Sequence, residues 1–182
     1  IRFNGEKTLS NICLRAEDIR TGEKVLGAGT LVRPQDVAVL ASVGASSPLV
    51  SERPRVSIIT TGDELVPPST VPAGSAIRNS NSYQLEAQVR RAGGVAFNLG
   101  IVADNQQSIR EVLHNALESS EVVLLTGGVS MGDYDYVPDI MKSLGIRILF
   151  RTIAVQPGKP TVFGTIRNRL VFGLPGNPVS CF

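Results

Sequence analysis

The 182 residues are 42% hydrophobic and 19% charged with a formal net charge of +2, too apolar and too evenly charged for a disordered tail. No apolar run approaches the roughly 18 residues of a membrane helix, and a lone histidine, His114, excludes a multi-histidine metal site. Cys13 and Cys181 lie far apart without zinc-type or disulfide-framework spacing, while the lack of tryptophan and an aromatic content of 5% argue against base-stacking platforms. The expectation is a cytoplasmic protein with no membrane span and no nucleic-acid partner; the start at Ile1, with no secretory pattern and no initiator Met, reads as a segment of something longer.

In chain order, residues 1–53 hold short apolar pieces punctuated by Gly22, Gly27 and Gly29. A short helix is predicted over Pro34–Ala41, with Val37, Leu40 and Ala41 facing inward. This stretch reads as the end of a preceding domain. Residues 54–182 read as a main α/β domain, beginning with a strand over Val56–Thr60. A helix should follow from Asn81, where Gln84 three residues on gives a capping-box-like start, Leu85, Val89 and Ala92 mark one face, and Gly93-Gly94 ends it. A second strand at Val95–Gly100 precedes a helix over Gln106–Ser119, whose Ile109, Val112, Leu113, Ala116 and Leu117 form a 3.6-period stripe with His114 on its solvated side. Val122-Val123-Leu124-Leu125 is apolar throughout, as suits a strand buried on both faces, and is followed by a helix carrying Val137, Ile140, Met141 and Leu144. Such alternation implies a three-layer α/β domain: a mostly parallel sheet with helices on both faces. Strands near Ile146–Val155, Thr161–Thr165 and Leu170–Gly173, the last two joined by a hairpin-like turn at Arg167-Asn168-Arg169, predict antiparallel additions near the C-terminus.

In sheets of this kind ligands bind beyond the C-terminal strand ends, so the loops there are the place to look for chemistry. They read Thr60-Thr61-Gly62-Asp63-Glu64-Leu65, Gly100-Ile101-Val102-Ala103-Asp104-Asn105, and a Gly-rich turn from Thr126 through Gly127, Gly128, Ser130, Gly132 and Asp133 to Asp135. Each contains a carboxylate. Gly127 and Gly128 let backbone approach a bound group, and N–H groups ahead of a helix can cradle an anion. Two further motifs, Gln156-Pro157-Gly158-Lys159-Pro160 and Leu174-Pro175-Gly176-Asn177-Pro178-Val179-Ser180, combine turn residues with a helix start. Asn177 is the expected cap, Pro178 the first helical residue, and Ser180 lies in the first turn, where an anion is favoured. Only Pro178–Phe182 follow that cap, and a helix so short is marginal on its own. Charge is also divided: Asp104–Asp139 holds seven acids against one base, whereas Ile140–Phe182 holds six bases and no acid. A site for a divalent cation and anionic oxygens needs both signs to converge.

Taken together, TGDEL, the Ser80-Asn81 helix start, GIVADN, TGGVSMGDYDYV, PGKP and LPGNPVS, in this order, resemble the molybdopterin molybdenumtransferase family, which includes MoeA and the E domain of gephyrin. The resemblance implies a molybdenum-cofactor-biosynthesis-like fold. It also implies an enzyme that hydrolyses molybdopterin adenylate and inserts molybdenum from molybdate, with Mg²⁺ as cofactor and a homodimer as the full-length form. By position, Glu64, Asp104 and Asp135 would be catalytic, with Asp104 and Asp135 holding Mg²⁺; Asp104 is equally placed to cap the helix after it. Asp63, Ser80, Asn81, Gly127, Gly128, Ser130, Lys159, Pro175, Pro178 and Ser180 would bind substrate, Lys159 and Ser180 beside molybdate. The chain departs from the family pattern at Ala16, Asn79 and Gln156, where Gly, Asp and Lys are usual. A molybdopterin adenylyltransferase of the same fold and a gephyrin-like receptor scaffold are the alternatives. The segment by itself is expected to be inactive.

Overall fold

The computed structural model describes residues 13–129 and 136–181, which fall into two compact units divided between Ser51 and Glu52. In the first, helix α1 spans Pro34–Ser42, and at its start the Asp36 carboxylate accepts from both the backbone and the side chain of Arg33. Those two hydrogen bonds hold the Asp36 carboxyl below its usual range. Val37 and Ala41, expected to face inward, are exposed, and Asp36 is the buried residue of the helix. Among the described residues of this unit no strand or second helix accompanies α1, so within the unit it has no sheet or helix face to pack on, and only Val39 and Leu40 of its apolar residues are half-buried.

The second unit is built on a six-stranded sheet ordered β4-β1-β5-β8-β7-β6: β4 Val95–Val102, β1 Arg55–Thr61, β5 Val122–Thr126, β8 Arg169–Leu174, β7 Val162–Ile166 and β6 Arg147–Phe150. The neighbours β4, β1, β5 and β8 pair in parallel, and β7 pairs antiparallel with both β8 and β6. Two further short strands, β2 Leu65–Val66 and β3 Ile77–Arg78, make a separate parallel pair. Helices α2 Asn81–Arg91, α3 Gln106–Ser119, α4 Val137–Ser143 and α5 Pro178–Cys181 complete the unit.

Strand periodicity divides the core between the two faces of the sheet. Ile59, Val123 and Leu125 pack with Ile109, Leu113 and Leu117 of α3 and Val137, Ile140 and Met141 of α4. Their neighbours Ile58 and Leu124 point the other way, toward Leu85 and Val89 of α2 and Cys181 of α5. The uniformly apolar β5 is thereby explained: each of its faces meets a helical layer. Strand β6 is shorter than the sequence suggested, ending at Phe150, whereas β4 runs on to Val102. The reason for the latter is a bulge: between Ile58 and Thr60 of β1 the partner advances from Asn98 to Ile101, with Gly100 at φ 83 and its N–H bonded to Asn98 Oδ1.

The predicted helix starts differ from the observed ones in who caps them. Helix α2 has Ser80 at the cap position without a side-chain bond to the helix backbone. Asn79, one residue earlier, accepts from the Ser82 N–H at 3.2 Å and donates to Ser82 Oγ at 2.9 Å. Gln84 reaches the Pro178 carbonyl instead of turning back on Asn81. Helix α3 is capped by Asn105, whose Oδ1 accepts from Ser108 N at 2.9 Å, so Asp104 is not the cap. Asn177 behaves as expected, accepting from Val179 N. The short helix it opens is held by tertiary contact, since Cys181 is buried against Ile58 and Leu85.

Candidate functional site

The C-terminal ends of β1, β5 and β8, with the loop before α2, enclose a cleft of about 590 Å³. Strand β1 ends in Thr60-Thr61, and the turn after it brings Gly62 and Glu64 into the wall; Asp104 arrives from the β4–α3 connection, Gly127 and Gly128 from β5, and Pro175–Pro178 with Ser180 from β8 and α5. Of the residues expected from sequence, the cleft gathers Glu64, Ser80, Asn81, Asp104, Gly127, Gly128, Pro175, Pro178 and Ser180. Asp63 and Lys159 do not line it. Asp63 stands behind, its Oδ1 accepting the Asp104 N–H at 3.1 Å. Lys159 is exposed, and its carbonyl accepts from Ile153 N and Thr161 N. Ser130 and Asp135 lie outside the described residues.

Several identities have local causes. A Cβ on Gly127, at φ 94, would sit 2.3 Å from the Thr61 carbonyl, so this glycine is required by the close approach of the β5 turn to the tip of β1, with or without a ligand. Gly62, at φ 150, carries the Glu64 carboxylate over its Cα: both carboxylate oxygens lie 2.9 Å from where a Cβ would stand. Asn81, expected to bind substrate, spends its amide inside the protein, donating to Thr126 Oγ1 at 2.9 Å and to the Gly176 carbonyl at 2.7 Å. Thr126 Oγ1 in turn donates to the Pro175 carbonyl at 3.1 Å. This network fastens the Pro175–Pro178 wall to β5. The Cys181 thiol completes it at 3.8 Å from Thr126 Oγ1, and burial pushes that thiol up from its usual range.

Arg78 was missed by sequence reasoning. It is the one basic residue among the described residues that line the cleft, and its Nε donates to the carbonyls of Pro68 and Thr70 at 3.0 and 3.1 Å, fixing the guanidinium at the rim. The available signal was its position two residues ahead of the Ser80-Asn81 helix start. Thr60, Thr61 and Thr126, which the sequence places in the strand-end loops without a role, also line the cleft.

Residues 57–182 match the family described as "Probable molybdopterin binding domain". The chain belongs to this family. Among curated proteins it is similar to the molybdopterin molybdenumtransferase of Staphylococcus aureus, 37% identical over 175 residues that cover 94% of this chain and 41% of the relative. The chain thus spans about two fifths of the length of such relatives. Among solved structures it resembles the molybdopterin biosynthesis MoeA protein of Pyrococcus horikoshii OT3, with a TM-score of 0.69 and 34% identity, covering 91% of this chain and 39% of that one. The CinA protein of Thermoplasma acidophilum, 20% identical, shares the fold with a TM-score of 0.59, covering 72% of this chain and 93% of that one. The molybdopterin-binding-domain match begins at the second residue after Arg55, inside β1, and takes in every element that builds the cleft. Among the described residues no helix is long and apolar enough to cross a membrane.

Proposed function

We propose that the chain is the part of a molybdopterin molybdenumtransferase that binds molybdopterin adenylate, and that the whole protein, a cytoplasmic homodimer, hydrolyses the adenylate and inserts molybdenum from molybdate. The observation that carries this reading is the joint placement of the TGDEL, GIVADN, TGG and LPGNPVS segments around one cleft, in a chain 37% identical over most of its length to proteins of that name. Glu64, held over Gly62, is positioned to orient water toward a phosphoanhydride. Ser180 in the first turn of α5 and Arg78 at the rim offer donors to anionic oxygens.

The Mg²⁺ that the family resemblance implies suits the donor set. Among the described residues no three acidic, cysteine or histidine side chains cluster as a protein cage, and Mg²⁺ is commonly held by one or two carboxylates together with substrate phosphate. Asp104 faces Gly128, its Oδ1 3.8 Å from where a Cβ on that glycine would stand, and would be one ligand; Asp135 is the proposed second. When bound, the ion would offset charge on the phosphate oxygens. The test is equilibrium titration of the chain with molybdopterin adenylate. Saturable binding is expected with Mg²⁺, strongly weakened by EDTA or by Asp104→Asn, with no molybdenum incorporated by this chain alone. Absence of saturable binding overturns the reading, and turnover equal to that of a full-length relative overturns the division of labour.

A further inference from the structure

A strand at the edge of a sheet carries a row of unpaired backbone donors and acceptors, and proteins that stay monomeric blunt such edges with charge, proline or brevity. The two edges of this sheet differ in that respect. Strand β6 is four residues long, begins at Arg147 and is followed by Arg151. Strand β4 is eight residues long, contains neither a charged residue nor a proline, and among the described residues pairs on one side alone, with β1. Its exposure alternates: Ala96 packs toward Ile58 and Leu85, while Val95, Phe97 and Leu99 on the opposite face are 40%, 44% and 43% exposed. The backbone alternates too. The Val95 N–H donates to the Pro54 carbonyl, so Val95 and, two residues on, Phe97 turn their backbone groups toward β1, and Ala96 and Asn98 turn theirs outward.

We propose that β4 pairs antiparallel with β4 of a second copy of this chain, about a two-fold axis at Phe97. That register sets Phe97 against the partner's Phe97 and Val95 against the partner's Leu99 on the open face. It also joins the outward N–H and C=O of Ala96 to those of the partner's Asn98. A two-fold at Ala96 would leave Leu99 opposite a glycine at position 93, and one at Asn98 would carry the pairing into the bulge at Gly100. No charge within β4 is brought against its own copy. The contact is self-complementary, as a two-fold interface must be, and joins two six-stranded sheets edge to edge. It gives a surface to the homodimer proposed for the whole protein, and it is independent of what the cleft binds, because the cleft lies at the strand ends and not along this edge. One strand pair covers less than a standard interface of about 1,600 Å², so association at roughly micromolar concentrations is expected.

The test is sedimentation velocity of the whole chain over a concentration series, beside Phe97→Lys and, on the opposite edge, Leu149→Lys. Wild type and Leu149→Lys should pass from monomer near about 1 µM to dimer near about 100 µM, while Phe97→Lys stays monomeric throughout. Disulfides read the register in a Cys13→Ser background. A pair without mutual backbone bonds brings its Cα atoms to about 4.5 Å, so oxidised Phe97→Cys should cross-link to itself, whereas Asn98→Cys, facing the partner's Ala96, should not. Wild type that is monomeric at every concentration overturns the proposal, as does a dimer that Phe97→Lys leaves intact. Cross-linking of Asn98→Cys in place of Phe97→Cys overturns it as well, and if Phe97→Lys does not fold the cysteine pair decides alone. Dimerisation through β4 by a chain that binds no molybdopterin adenylate retains the interface and overturns the reading of the cleft; adenylate binding by a chain that is always monomeric does the reverse.

Discussion

Two glycines of the cleft differ in what a methyl group would strike, and that difference has a measurable consequence. At Gly127 the obstacle is the Thr61 carbonyl, part of a strand buried on both sides; at Gly62 it is the end of the Glu64 side chain, which can rotate away. Both positions also disfavour an L side chain through their positive φ. Gly127→Ala is therefore expected to cost about 3 kcal/mol, and Gly62→Ala about 1 kcal/mol with a displaced Glu64. Denaturant unfolding of the two variants checks the order, and equal costs would contradict it. The same pair shows why TGDEL and TGG could be found in the sequence but not fully understood there. A glycine between polar residues signals close approach, but whether the approaching group is a ligand, a neighbouring strand or a carboxylate depends on tertiary placement.

At the level of elements, the start of β1 is tied to the turn after α3 by Arg55 and Glu121. The guanidinium lies 2.6 Å from Glu121 Oε1 and the Arg55 N–H donates to Oε2 at 2.7 Å, which together hold the Glu121 carboxyl down at about 2. The sign follows from the lowered value: the contribution is present in full above the ordinary carboxylate range near 4.5 and disappears as pH falls toward 2. Both side chains are about half exposed, so salt should weaken the pair. Wild type is expected to be more stable than Glu121→Gln at pH 6 and low salt, with the gap closing between pH 4.5 and 2; a gap that persists at pH 2 would refute the assignment. Helices and parallel strands were legible because burial imposes a period: α3 was predicted at its observed limits, and β5 on both-sided burial. Caps and strand ends were less legible. Asn79, Ser80 and Asn81 are all plausible caps by residue type, and Asn81 is diverted by Thr126 and Gly176, partners 45 and 95 residues away. The bulge at Gly100 similarly depends on pairing with β1, which no local pattern encodes.

On the scale of the whole molecule, the cleft is closed by elements that come late in the chain. β8 pairs with β5 only after α4, β6 and β7 have intervened, and the α5 turn then docks Cys181 between the sheet and α2. The buried thiol shares Thr126 Oγ1 with the Asn81 network that secures the cleft wall, while the other cysteine, Cys13, is exposed. A thiol reagent should consequently label the protein in two phases: Cys13 at once, and Cys181 only at the rate at which the α5 turn lifts away. Mass spectrometry after a timed pulse separates the two sites, and simultaneous labelling would contradict the burial. A ligand seated against Pro175–Pro178 holds the turn down and must leave before it lifts, so the second phase should slow by the factor 1 + [L]/Kd as ligand is added. Cys181 thereby becomes an intrinsic gauge of occupancy, reporting how much of the protein holds ligand through a reaction that touches neither the ligand nor the chemistry it undergoes.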